Sequence, residues 1–175
     1  WHKQQGNEVM WNMPIAKDIA DKIYVSCIFT KNKSKCDLWK GSAEIGGSGY
    51  SLDITLPPEI EAVKPRINYG FTTRGCIRNC KFCIVPRKEG KMRIEGDLLD
   101  LWDGQAKQVV IMDNNILALP EQFELVCKQA RDNHIKLDFN QGLDHRLLTP
   151  ELVELMTTIS HTEYRFAFDY PSYLP

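Results

Sequence analysis

The stretch Gln108-Val109-Val110-Ile111-Met112-Asp113-Asn114-Asn115 decides the fold. It is an apolar, β-branched run of buried-strand length that ends abruptly in three polar residues. A helical pattern follows over residues 121–133, with Pro120 in its first turn and apolar Phe123, Val126, Cys127 and Ala130 on one face. Residues 135–140 then read as a second strand, and Thr149-Pro150-Glu151 opens a further helix through Met156. Thr149 suits the N-cap, Pro150 the first helical position and Glu151 the dipole-favourable first turn. Residues 164–169 read as another strand. Strand and helix alternating every ~30 residues imply parallel strands joined by right-handed crossovers.

Working outward, residues 67–72 read as the strand that opens this series, and residues 94–101 as a helix. Each polar cluster falls just past the C-terminal end of a strand: 73–83, 113–115, 140–144 and 169–170. That edge is where α/β folds build their sites, so the four clusters are expected at one mouth. Upstream, residues 8–12, 22–29 and 44–46 read as strands, and residues 1–7 as a helix end closed by Gly6. Gly46-Gly47-Ser48-Gly49 reads as a tight turn in preference to a phosphate loop. Pro57, Pro58 and Pro65 mark residues 57–66 as a linker between two units, 1–56 and 67–175.

The 175 residues are 43% hydrophobic and 26% charged with a net charge of −1, which excludes disordered, collagen-like and supercharged classes. No run of about 18 apolar residues exists, so no membrane span is expected. Nine Lys or Arg residues lie between Lys64 and Arg93 against one acid, Glu89. Such a block invites a nucleic-acid partner, a reading we do not favour because the block coincides with a cysteine cluster. The six cysteines point to a reducing, cytoplasmic compartment rather than a secreted disulfide scaffold. Cys27 and Cys127 read as buried small hydrophobes, and Cys36 as an exposed thiol.

Cys76, Cys80 and Cys83 have the spacing Cys-x3-Cys-x2-Cys. Three soft thiolates on one loop select zinc or an iron–sulfur cluster. A structural zinc site wants a fourth ligand at comparable spacing, and none is near. Tyr69-Gly70-Phe71-Thr72-Thr73-Arg74-Gly75-Cys76, followed by Cys80 and by Phe82-Cys83, resembles the radical S-adenosylmethionine superfamily. Residues 67–175 resemble the front of that family's partial (β/α) barrel, and residues 1–56 the end of the Rossmann-like, cobalamin-binding-type domain that precedes it in one branch.

The resemblance implies that Cys76, Cys80 and Cys83 ligate three irons of a 4Fe–4S cluster. The fourth iron would hold S-adenosylmethionine, cleaved by one electron to methionine and a 5′-deoxyadenosyl radical. It places Phe82 near the adenine, Asp113, Asn114 and Asn115 near the methionine amino end, and Asn140 and Gln141 near the ribose or carboxylate. Asp144 and Arg146 would cap the mouth, Asp169 would face substrate, and Arg74, Arg78 and Lys81 would bias the cluster or dock a reductant such as flavodoxin or ferredoxin. Cobalamin is the disfavoured extra cofactor, because His2 sits in the wrong place to ligate it. The implied barrel has about six units at roughly 31 residues each, so 109 residues hold three to four and the chain reads as clipped at both ends. The alternatives are a non-catalytic iron–sulfur protein that carries electrons or senses redox state, and a zinc module on nucleic acid.

Overall fold

In this computed structural model, which describes residues 1–169 apart from the side chain of Ala16, the chain divides into two compact units. The first is Trp1–Val63, and the second begins at Lys64. This boundary falls inside the proline-marked stretch 57–66. Tyr170, counted with the fourth polar cluster, lies outside the described residues. Among the described residues no helix is long and apolar enough to cross a membrane.

In the first unit His2–Gln5 forms a 3-10 turn, closed by Gly6 in the left-handed region (φ 81°). The strand expected over residues 8–12 does not form. Trp11 there is 79% exposed, and an apolar run with no ladder partner has nothing to pair with. The strand expected over 22–29 contracts to β1 (Tyr24–Ser26). After a helical turn α1 (Lys33–Asp37) comes β2 (Glu44–Gly46), parallel to β1 with Tyr24 opposite Glu44. Cys27 is buried as expected, but Cys36 is too, which corrects the exposed-thiol reading. The polar stretch around Cys36 coils into α1, and its one short apolar side chain turns in toward Cys27. The glycine loop packs directly on the chain leaving β1. A Cβ on Gly47 would lie 2.5 Å from the Cys27 carbonyl oxygen, and one on Gly49 2.5 Å from the Phe29 carbonyl carbon. These glycines serve close backbone packing, as the tight-turn reading requires. A further helical turn, α2 (Pro58–Glu61), starts on its proline.

The second unit is organised by three parallel strands: β3 (Tyr69–Gly70), β6 (Gln108–Ile111) and β7 (Lys136–Phe139), in the order β3-β6-β7. Between them come β4 (Thr73–Arg74), a turn α3 (Val85–Lys88), β5 (Arg93–Ile94) and α4 (Leu98–Leu101). The helices α5 (Pro120–Asp132) and α6 (Pro150–Thr157) follow β6 and β7. Val109 and Ile111 of β6 and Leu137 and Phe139 of β7 alternate into the core. They meet the α5 residues read from the sequence, Phe123, Val126, Cys127 and Ala130, all buried. Thr149 caps α6 through a bond from the Leu152 N–H. On the opposite sheet face Tyr69 is 52% exposed, and Val110 and Asp138 are half-buried. Among the described residues the sheet therefore stands as a three-stranded parallel layer in a mixed α/β unit, not as a closed barrel wall.

Three elements differ from expectation for identifiable reasons. The opening strand is cut to two residues because Asn68 sits at φ 64° and its amide locks onto Asp103. Beyond Gly70 the chain peels away to pair β4 antiparallel with β5. The helix expected from residue 94 begins only at Leu98, where Asp97 and Asp100 form a reciprocal capping box. The strand expected over 164–169 reduces to isolated parallel bridges, Leu137 to His161 and Leu143 to Phe166. Between these bridges one side spans six residues and the other five, and a one-residue mismatch breaks the ladder.

Candidate metal centre

The cysteine loop is an excursion clamped at its base, because β4 leads into it and β5 leaves it as an antiparallel pair. Gly75 makes the entry possible. It lies at φ 79°, and a Cβ there would stand 2.3 Å from the Lys91 carbonyl oxygen. Cys76, Cys80 and Cys83 follow as half-buried free thiols, and the Cys83 N–H bonds the Cys80 carbonyl at 3.0 Å.

Cys76 is the best defined of the three. Its Sγ accepts the Arg78 backbone N–H at 3.3 Å and the Asn115 side-chain amide at 3.7 Å. Asn115 lies just past the end of β6 and is 3% exposed. Arg78 donates its Nε to Asp144 Oδ2 at 2.8 Å, so the loop is tied to the segment after β7 as well. Asn115 past β6 and Asp144 past β7 thus reach one loop, while among the described residues no hydrogen bond or ion pair joins exposed Asp169, expected to face substrate, to it.

Asp144 is buried and also receives Arg146 Nε at 2.6 Å and Nη2 at 3.0 Å. Burial opposes its charge, but the bonds from Arg146 and Arg78 outweigh that and hold its carboxyl below the usual range. Asp113 is the reverse case. Burial pushes its carboxyl above the usual range, although Thr72 N–H at 2.6 Å, Thr72 Oγ1 at 2.5 Å and Thr73 Oγ1 at 2.9 Å all donate to it. Both Asp113 oxygens are therefore spent on joining β6 to the chain that enters the cysteine loop. Asn114 donates to Glu89 Oε2 at 2.8 Å. Asn140 and Gln141 stand exposed past β7, and among the described residues no polar contact joins their side chains to the cysteine loop. Phe82 lies on the loop's outer side, 60% exposed.

Glu89 is the residue that sequence reasoning passed over. Its carboxylate accepts the buried Gly75 N–H at 2.9 Å, Arg74 Nη1 at 3.0 Å and the Asn114 amide at 2.8 Å, which staples both ends of the loop to β6. The available signal was a single acid inside nine cations. The cations are also less free than their density implies. Arg74 pairs with Glu89 and lies over the Phe71 ring at 3.5 Å. Arg78 is held by Asp144, Lys64 by Glu95, and Arg93 by Glu95 and the Glu89 carbonyl. Arg74 and Arg78, expected to bias the cluster or dock a reductant, both have their guanidiniums paired with internal carboxylates.

The donor set fits an iron–sulfur cluster. The Cys76 sulfur accepts two N–H bonds, and bonds of this kind tune a cluster when one is bound. Among the described residues no three His, Cys, Asp or Glu side chains stand close enough to grip one metal ion. Compared with family models, with curated proteins and with solved structures, the chain finds no match in any of the three.

Proposed function

We propose that the second unit is the front of a radical S-adenosylmethionine barrel and that Cys76, Cys80 and Cys83 hold a 4Fe–4S cluster. The observation that carries this reading is the Cys76 sulfur, on a Cys-x3-Cys-x2-Cys loop, taking N–H bonds from the loop itself and from Asn115 past a parallel strand. When bound, such a cluster with S-adenosylmethionine on its open iron supplies one-electron cleavage of the sulfonium C–S bond. The protein's part is positional. Glu89 and Asp144 fix the two flanks of the loop, and Asp113 with Thr72 and Thr73 sets where the loop leaves the sheet. Asn114 and Asn115 line the edge nearest Cys76, where the amino acid end of the cofactor would lie. A flavodoxin- or ferredoxin-type protein is the proposed reductant and a reducing cytoplasm the proposed compartment, which suits six unpaired thiols.

The test is anaerobic reconstitution of the whole chain. We expect about four irons per chain for a 4Fe–4S centre, lost when Cys76, Cys80 and Cys83 are changed to Ala. S-adenosylmethionine with dithionite should then release 5′-deoxyadenosine. Iron without that product would leave a non-catalytic electron carrier, and zinc in place of iron would overturn the proposal.

A further inference from the structure

Asn115 carries an unusual pairing of features. Its side chain is almost wholly buried, its Nδ2 points at Cys76 Sγ at 3.7 Å, and its Oδ1 is buried with no hydrogen-bond partner. A buried amide normally satisfies its oxygen first, because an unpaired acceptor out of water is costly. Here the oxygen goes unmet while the N–H is directed at sulfur. A thiol can donate its S–H to an amide oxygen, but a metal-bound thiolate can only accept. The amide therefore stands in the orientation that suits a ligated sulfur. Its backbone holds it there, since Asn115 (φ −166°, ψ 64°) turns the chain from β6 into the 3-10 turn Ile116–Ala118. The buried neighbours Ile116 and Leu117 anchor that turn in the core.

We propose that Asn115 is a positioning residue that sets the reduction potential of the cluster through its N–H bond to the Cys76 sulfur. The inference rests on the cluster reading above. An N–H dipole aimed at a ligand sulfur stabilises the added electron, so it raises the potential. The second donor, the Arg78 backbone N–H, survives any side-chain change and leaves the Asn115 bond as the adjustable one.

The experiment is a redox titration of the anaerobically reconstituted whole chain, followed by visible absorption, for wild type, Asn115→Leu and Asn115→Asp. Leu keeps the branched shape at a larger volume and removes the donor together with the unmet acceptor. Asp keeps the shape, removes the donor and adds negative charge. Both variants should retain iron, and Asn115→Leu should show a midpoint lower by about fivefold in the oxidised-to-reduced ratio at fixed potential, near 40 mV for one electron. Asn115→Asp should fall at least as far. A residue with a merely structural role would change iron content or unfolding and leave the midpoint alone. Loaded variants with the wild-type midpoint overturn the inference and spare the cluster reading. Iron lost from both variants but kept by wild type makes Asn115 structural and also overturns it. A wild-type chain that takes up no iron overturns both.

Discussion

Replacing Glu89 with Ala should release the cysteine loop while leaving the core untouched. The carboxylate is only 16% exposed at its side chain and accepts three N–H bonds. The Gly75 N–H is buried, so stranding it costs about 1–3 kcal/mol. Arg74, with 27% of its side chain exposed, recovers part of its loss from water, which leaves about 0.5–1 kcal/mol. The neutral amide of Asn114 contributes about the same again. The sum is near 3 kcal/mol, and at 1.4 kcal/mol per decade it corresponds to about 150-fold in a local opening equilibrium. Two compact units make a single unfolding curve a poor ruler, so the assay is amide hydrogen exchange resolved at Gly75. Exchange at Gly75 should accelerate by about two decades in Glu89→Ala and by a smaller factor in Glu89→Gln, which keeps one acceptor oxygen. Amides of β7, which rest on the α5 core, should not change. A Gly75 amide equally protected in wild type and Glu89→Ala would refute the claim that Glu89 holds the loop.

Two further outcomes follow from the same geometry. In the metal-free chain a neutral alkylating reagent should label Cys76, Cys80 and Cys83 and spare Cys27, Cys36 and Cys127, read by peptide mass spectrometry. Burial pushes the Cys127 thiol up to about 12, and burial with the Cys36 contact raises Cys27, so labelling of Cys127 as fast as Cys80 would contradict the packing of α5. The Arg78–Asp144 clamp should depend on pH with a fixed sign. The folded carboxyl titrates below its ordinary value of 3.8, so the clamp's stability is complete above that value and is lost as pH falls through the depressed folded one. Loop exchange rates of wild type and Asp144→Asn should therefore differ at pH 7 and converge in strong acid, and a gap that stays constant would remove the clamp.

What the sequence discloses about this molecule, and what it withholds, divides along a physical line. Elements whose pattern is local and repeated are readable: β6, β7 and α5 each bury the side chains that their periodicity marks, and Thr149 caps α6 as its type and place require. Elements fixed by a distant partner are not. β4 and β5 are two residues each and carry no pattern, yet they close the cysteine loop because Thr73 finds Ile94 across a gap of 21 positions. Cys36 looks exposed until α1 turns it toward Cys27. The same division runs through the site. That Asp113 follows a strand can be read, but its work depends on Thr72 and Thr73, which claim both of its oxygens from some 40 residues away. The basic block is less open than it looks for that reason too, since Asp144 and Glu95, which pair with Arg78, Lys64 and Arg93, lie outside the segment 64–93. A run of like charge in a chain measures how many counter-charges the fold must bring to it, and only the unmatched remainder, such as exposed Lys81 on the cysteine loop, is left to act on a partner.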